Sequence, residues 1–225
     1  EPKYIVFEGC LLERFRVCPT CLAPCRNDTA VDGTLLTITS ICANEHKTTW
    51  RSQPKLGNKP AGNVLVCSAI LFSGASPVTT LRVLKSINVA TITESTYFDC
   101  QTSYLLPAVK QVYNRHNTEL LEGLRGKSID LAGDGRCDSP GFSAKFCTYS
   151  FHEAVTKKII QIEQVQVDSP AHNKLRSIVS SPRLLKDIRH LSPGCQTYSV
   201  ESFNSLLIGF ASKSRAFTTE GLYAR

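Results

Sequence analysis

The 225 residues contain no methionine and a single tryptophan. A chain without Met, even at position 1, is expected to begin inside a longer product or to have been trimmed. A secretory leader joins a basic start to a continuous apolar stretch, and the opening EPKYIVFEGC offers neither. The longest apolar run, Val64–Phe72, falls well short of the roughly 20 residues that span a bilayer. Internal repeats and low-complexity tracts are missing as well. These absences lead to the expectation of an intracellular globular protein with no membrane partner. The 42% hydrophobic and 20% charged residues suit that class, and the length suits one sizeable domain or a small module beside a larger one.

What is present is cysteine, and its distribution matters more than its number. Of ten cysteines, Cys10, Cys18, Cys21 and Cys25 crowd the first 25 residues. The other six are scattered, mostly in apolar segments, where Cys behaves as a small buried hydrophobe. Clustered cysteine without a leader points to metal rather than to a disulfide framework. Charge is uneven too. The net charge is +7, with eight Lys/Arg against three Asp/Glu in residues 171–225 and four against six in residues 130–170. A basic surface favours phosphate backbones, and an acidic island is what a divalent cation needs, although solvated surface charge accounts for the pattern equally well.

Hydrophobic periodicity predicts the following elements. Residues 3–17 form a short strand or helix. Residues 31–41 are β-rich, residues 47–53 are a partner strand, and residues 54–63 (PKLGNKPAGN) are a linker. Residues 63–73 make an apolar segment that stops at Gly74. Ser76-Pro77 opens a helix with Ser as N-cap and Pro at the first helical position. Its apolar face is Val78, Leu81 and Leu84, widened by Val83 and Ile87. Further segments start at Thr93 and cover 107–124. Short helices joined by tight turns suit a helix-turn-helix-like arrangement and any other small helical bundle. Strands follow at 128–133, 145–151 and 157–167. Residues 171–189 read as helix broken at Pro182, and residues 199–211 as helix with Val200, Phe203, Leu206, Leu207 and Phe210 on one face.

Two constellations carry chemistry. The first is Cys18, Cys21, Cys42 and His46: C-P-T-C, twenty intervening residues with β character, then C-A-N-E-H. A CxxC knuckle aims two thiolates at one ion, and a β-hairpin returns the second pair to complete a tetrahedron, the plan of a structural Zn²⁺ ribbon with no open catalytic position. Cys25 either replaces His46 or lies nearby. The second is Asp134-Gly135-Arg136-Cys137-Asp138, following the strand SIDLAG. Carboxylates at a strand end suit Mg²⁺ or Mn²⁺, and paired ions of this kind cleave phosphodiesters; Asp-Gly and Ser-Pro-Gly are also ordinary turn formers. Cys147 and His152 invite a thiol-enzyme reading, but no orienting group accompanies them.

The strings CPTC, TTWRSQP, PAGN, the apolar segment ending FSGAS, GDGRCDSPGFSAKFCTYS (133–150) and SPGCQTYSVESFNSLLIGFASKSRAFTTEGLYAR occur in that order. Along nearly its whole length the chain thereby resembles transposon-derived, RNase H-like transposases of the DDE type, which move DNA by cut and paste. The resemblance implies that the first triad aspartate falls on Asp134, with Asp138 a second candidate. It implies that the glutamate falls on Glu201, on a helix leaning over the sheet. It also implies DNA as partner and a nuclear location. The second aspartate has no counterpart: Gln164–Val167 runs almost directly into Asp168-Ser169-Pro170, neither Asp168 nor Asp187 has the matching context, and Asp134 and Glu201 are only 67 positions apart.

Three readings follow: an active metal-dependent transposase, a catalytically impaired or abridged relative that keeps zinc-dependent folding and DNA or protein binding, and an unrelated zinc-binding interaction protein. The second is favoured, because losing a metal-binding carboxylate removes most two-metal catalysis. The expected fold is α+β: a zinc-ribbon-like module over 1–56, a helical region over 63–126, and a truncated RNase H-like core over 128–225 as a partial mixed sheet with helices. The strand edge left by the missing segment is expected to promote self-association.

Overall fold

The structure is a computed structural model in which residues 1–139, 144–179, 181–182 and 198–210 are described. The later part of the expected helix 171–189, Asp187, residues 140–143 of the DGRCDSPGFS motif and residues 211–225 lie outside them. The architecture is mixed α+β, with small antiparallel sheets and helices. The chain divides into two compact units, Glu1–Ser103 and Tyr104–Arg225.

In the first unit, helix α1 (Glu8–Leu12) and a 3-10 turn (Glu13–Phe15) lead to the cysteines. Strands β1 (Cys25–Asp32), β2 (Leu35–Cys42) and β3 (Lys47–Arg51) then form an antiparallel sheet in the order β1-β2-β3. The pair Asp32↔Leu35 closes the β1–β2 hairpin over Gly33 and Thr34. Gly33 has φ +61°, so the first loop position takes the left-handed backbone that two-residue hairpin turns favour and that costs glycine least. Inner-face residues Ile38, Ser40 and Cys42 are buried on β2. Trp50, opposite Ile38, packs at 5.4 Å on Phe15 of the 3-10 turn.

The stretch expected as a linker is instead a small hairpin, β4 (Lys55–Leu56) with β5 (Lys59–Pro60), running straight into α2 (Ala61–Phe72). The physical reason is a set of polar contacts onto the β1–β2 turn. Asn63 Oδ1 accepts from Thr34 N (2.7 Å) and Thr34 Oγ1 (2.8 Å), and Asn63 Nδ2 donates to Asp32 O (3.3 Å). Gln53 Nε2 donates to Thr34 Oγ1 (3.0 Å), while Gln53 Oε1 accepts from the backbone N–H of Gly62. The first turn of α2 is thus latched onto the β1–β2 turn.

Helix α3 (Pro77–Ser86) starts as its sequence dictates, with Ser76 Oγ accepting from Thr79 N. It ends in a Schellman arrangement: Asn88 holds φ +57°, Asn88 N donates to Lys85 O and Val89 N to Leu84 O. Only Leu81 of the expected face is buried; Val78, Val83 and Ile87 are exposed. Helix α4 (Glu94–Cys100) is capped by Thr93. Cys67, Ile70, Leu71, Leu81, Ile92 and Tyr97 supply the buried apolar side chains of this helical part.

A π-helical turn, Gln101–Leu105, contains the division between the units, and α5 (Leu106–Leu124) belongs to the second. The expected helical region 63–126 is therefore shared between the two units. In the second unit β6 (Leu131–Cys137), β7 (Phe146–Glu153) and β8 (Ile159–Gln166) form an antiparallel meander. Helices α5 and α6 (Pro170–Val179) contact β8, and α7 (Tyr198–Phe210) contacts β6 and β7. Strand β6 begins at Leu131 rather than at Ser128 and runs through the DGRC segment, so Asp134 sits mid-strand, opposite Ser150, and not at the strand's end. Glycine usually weakens a strand, but here the Tyr149 ring lies over both glycines: a Cβ on Gly133 would meet Tyr149 Cε1 at 2.6 Å, and one on Gly135 would meet Tyr149 Cδ2 at 3.2 Å. The turn after β7 is organised by buried Glu153, whose carboxylate accepts from Val155 N (3.0 Å) and Thr156 N (2.5 Å).

Candidate metal centre and acidic strand

Two tight backbone turns build the metal centre. In the first, Leu22 N donates to Cys18 O (2.9 Å) and Cys18 N to Ala23 O (2.9 Å). In the second, Glu45 N donates to Cys42 O (3.0 Å) and Cys42 N to His46 O (3.2 Å). Each turn needs a left-handed residue, Leu22 at φ 60° and Glu45 at φ 61°. Non-glycine residues there are strained by about 1–2 kcal/mol each, a cost that a bound ion offsets. The β1–β2 hairpin carries the second turn back to the first, because Cys42 pairs directly with Cys25, a few residues after Cys21.

The result brings Cys18, Cys21, Cys42 and His46 together with all ligand atoms within 4.8 Å of one another. Cys21 Sγ and Cys42 Sγ are 3.6 Å apart, Cys18 Sγ and His46 Nδ1 3.8 Å, and Cys21 Sγ and His46 Nδ1 3.3 Å. Thiolate and imidazole ligands at about 2.3 and 2.0 Å from one ion define tetrahedron edges of roughly 3.5–3.8 Å, which these separations approximate. They are far beyond the ~2.05 Å of a disulfide, and all four residues fit one metal ion. Cys18 and Cys42 are buried, Cys21 is half-buried and His46 is exposed. Backbone N–H groups of Cys21 and then Thr20 hold the Cys18 thiol below its ordinary pKa, and that of Ala23 does the same for Cys21. Burial pushes Cys42 up. Burial also raises Cys25, which lies close by but outside the four-ligand set, with Cys18 and Cys42 adding to the shift. Four protein ligands close the coordination sphere, so the centre is structural in kind.

The acidic strand is arranged differently. Asp134 Oδ1 accepts from Gly135 N (2.8 Å), and Oδ2 accepts from Asn204 Nδ2 on α7 (2.7 Å). Asp138 Oδ1 accepts from Lys145 N (3.0 Å), closing the β6–β7 connection. Glu201 is exposed, one helical turn before the buried Asn204. The contact between this helix and the strand at Asp134 is made by Asn204. Among the described residues, the Cys/His set is the one group of three or more that is placed to hold a metal, and Asp134, Asp138 and Glu201 form no such group.

Cys147 faces Cys137 across the β6–β7 ladder, with Sγ atoms 2.6 Å apart. Burial, with Cys137 adding to it, pushes the Cys147 thiol up to about 12. A thiol so protonated is no nucleophile at neutral pH. His152 lies five residues along the same strand, roughly 17 Å away, buried with Nδ1 3.1 Å from Ala132 O.

Sequence reasoning missed Gln53, Asn63 and Asn204. The strings SQP and PAGN were visible signals for the first two, and FNSL for the third, but each role depends on a partner 9 to 70 positions away. Compared with protein-family models, curated proteins and solved structures, the chain matches none of them.

Proposed function

We propose that this chain is a transposase-derived protein that binds DNA without cutting it, its first unit folded around Zn²⁺ and its second a reduced RNase H-like core. The observation that carries the reading is the contrast in ligand chemistry. The soft Cys₃His set has the composition and spacing of a structural zinc centre. The two aspartates that the family resemblance assigns to catalysis, Asp134 and Asp138, instead accept hydrogen bonds from the protein itself. Hard cations such as Mg²⁺ or Mn²⁺ need several converging oxygens, and the described residues do not supply them, so no cleavage step is assigned. A nuclear location and self-association through sheet edges belong to the same reading; β6 and β8 are both edge strands of the three-stranded sheet.

Two measurements on the purified protein test it. Metal analysis should find one zinc per chain, and Co²⁺ substitution should give the absorption of a tetrahedral thiolate site. Plasmid and short duplex DNA incubated with Mg²⁺ or Mn²⁺ should be bound and left intact. Nicking that disappears in both Asp134→Ala and Glu201→Ala would restore the nuclease reading.

A further inference from the structure

From His46 to Thr93 the chain contains no aspartate or glutamate, while it carries Lys47, Arg51, Lys55, Lys59, Arg82 and Lys85. The first four recur at four-residue intervals. They fall on β3, the edge strand of the ribbon sheet, and on the β4–β5 hairpin that follows it. All five residues of β3 are exposed, as are Lys55 and Lys59. None of these four cations takes part in the ion pairs found among the described residues, which are Arg16–Glu13 and Arg26–Asp28.

Strand parity sorts the side chains. Lys47, Thr49 and Arg51 lie opposite Ile41, Thr39 and Thr37, on the solvated side of the sheet. Trp50 lies on the other side, against Phe15. Lys47 and Arg51 are four residues apart, about 13 Å along the strand, so they address separate anionic groups rather than sharing one. Resting on the reading that the chain binds DNA, we infer that the exposed edge formed by β3 and the β4–β5 hairpin is the surface that grips the backbone of duplex DNA, through Lys47, Arg51 and the hydroxyl of Thr49 on one side of β3, extended by Lys55 on the hairpin, whose other face carries Leu56 and Lys59.

The chemistry selects this occupant. Arg, Lys and Thr side chains are the groups that contact phosphate oxygens on duplexes. Single strands are held by aromatic platforms, and the one aromatic ring of β3 lies on the side away from Lys47 and Arg51, against Phe15. Anionic membranes capture basic surfaces that also insert apolar side chains, whereas the solvated side of β3 offers Lys, Thr and Arg, and the hairpin a single exposed apolar residue, Leu56. An edge strand also uses lysines to repel strand addition, a role that needs no partner and makes the opposite prediction below.

The test is fluorescence anisotropy of the full zinc-loaded chain with a short labelled DNA duplex over a series of salt concentrations. In Lys47→Gln/Arg51→Gln/Lys55→Gln, each lost phosphate contact should lower the log–log salt slope by about 0.9, or between 2 and 3 in all. Affinity should fall at least tenfold. Lys174→Gln/Arg176→Gln on α6 should leave both unchanged. Zinc content and circular dichroism verify folding, and if the triple variant is misfolded, Lys47→Gln and Arg51→Gln taken singly should each remove about one unit of slope. If the wild type binds duplex and the triple variant binds it equally well, the surface is wrong and the DNA reading stands. If the wild type binds no duplex, the DNA reading falls with it. Tighter binding to phosphatidylserine vesicles or to single-stranded RNA than to duplex would overturn the assignment of the partner.

Discussion

The cysteine cluster and the acidic strand look alike as sequence clues: ligand-type residues a few positions apart, beside turn-forming residues. The fold treats them oppositely. Cys18, Cys21, Cys42 and His46 converge within 4.8 Å, whereas Asp134 and Asp138 are engaged by Gly135, Asn204 and Lys145. A metal knuckle is a local object. Once the β1–β2 register places Cys42 beside Cys25, the four ligands are determined by about 30 residues of chain. Carboxylates that must converge from separate strands and helices depend on contacts far along the sequence, and here Asp134 and Asp138 meet protein donors instead.

The contrast can be broken most forcefully at the cluster. Replacing Cys42 with Ser, or chelating the ion, should abolish cooperative folding of the ribbon, since structural zinc contributes roughly 10 kcal/mol or more of apparent folding free energy. Hydrogen exchange should show protection lost across β1–β3 while β6–β8 stays protected; a ribbon that stays protected without metal would remove the structural role. Next in size is the latch: Asn63→Leu leaves Thr34 N and Asp32 O without their partner and should destabilise the first unit by about 2–4 kcal/mol, read as a lowered melting midpoint. On the acidic side, Asp134→Ala and Asn204→Ala should each cost about 1–3 kcal/mol in the second unit, and the double variant should cost little more than either. Strict additivity would mean that the two side chains do not act together, and would leave Asp134 available for metal.

Two smaller effects sharpen the comparison. Hydrogen bonds from Thr156 and from the backbone N–H of Val155 hold the Glu153 carboxyl below its ordinary pKa. Its contribution to stability is therefore complete above the unfolded-state carboxylate pKa and is lost as pH falls through the lower folded value. Urea melts of the second unit should show a decline on acidification below that range, and Glu153→Gln should reduce the slope. Smallest is Leu22→Gly: the side chain is exposed and the backbone left-handed, so glycine should stabilise the metal-loaded ribbon by about 0.5–1 kcal/mol.

Much of the local structure was legible. Ser76-Pro77 and Thr93 start helices where their capping chemistry says they should, and the two cysteine-containing pairs meet as their spacing implies. Asp134 misled because Asp-Gly is ordinarily a turn, whereas here the Tyr149 ring on the neighbouring strand shelters the glycines and keeps the segment in the ladder. PKLGNKPAGN read as a linker because proline and glycine were visible and the Gln53 and Asn63 contacts onto Thr34 were not. The exposed Val78, Val83 and Ile87 show the same limit: periodicity marks a possible face, but the number of neighbours available decides how much of it is covered.

The β1–β2 hairpin is held at both ends, by the Cys42 and His46 turn at one and by Asn63 on Thr34 at the other. Mechanically it is a strut, about 27 Å long for the eight residues of β2. Its length sets the reach from the metal to the first turn of α2. Shortening each strand by two residues, which keeps every remaining side chain on its face, would therefore draw the helix start toward the metal site by about 7 Å, and a pull applied across the hairpin should meet a stiff element that yields first at whichever end is weaker.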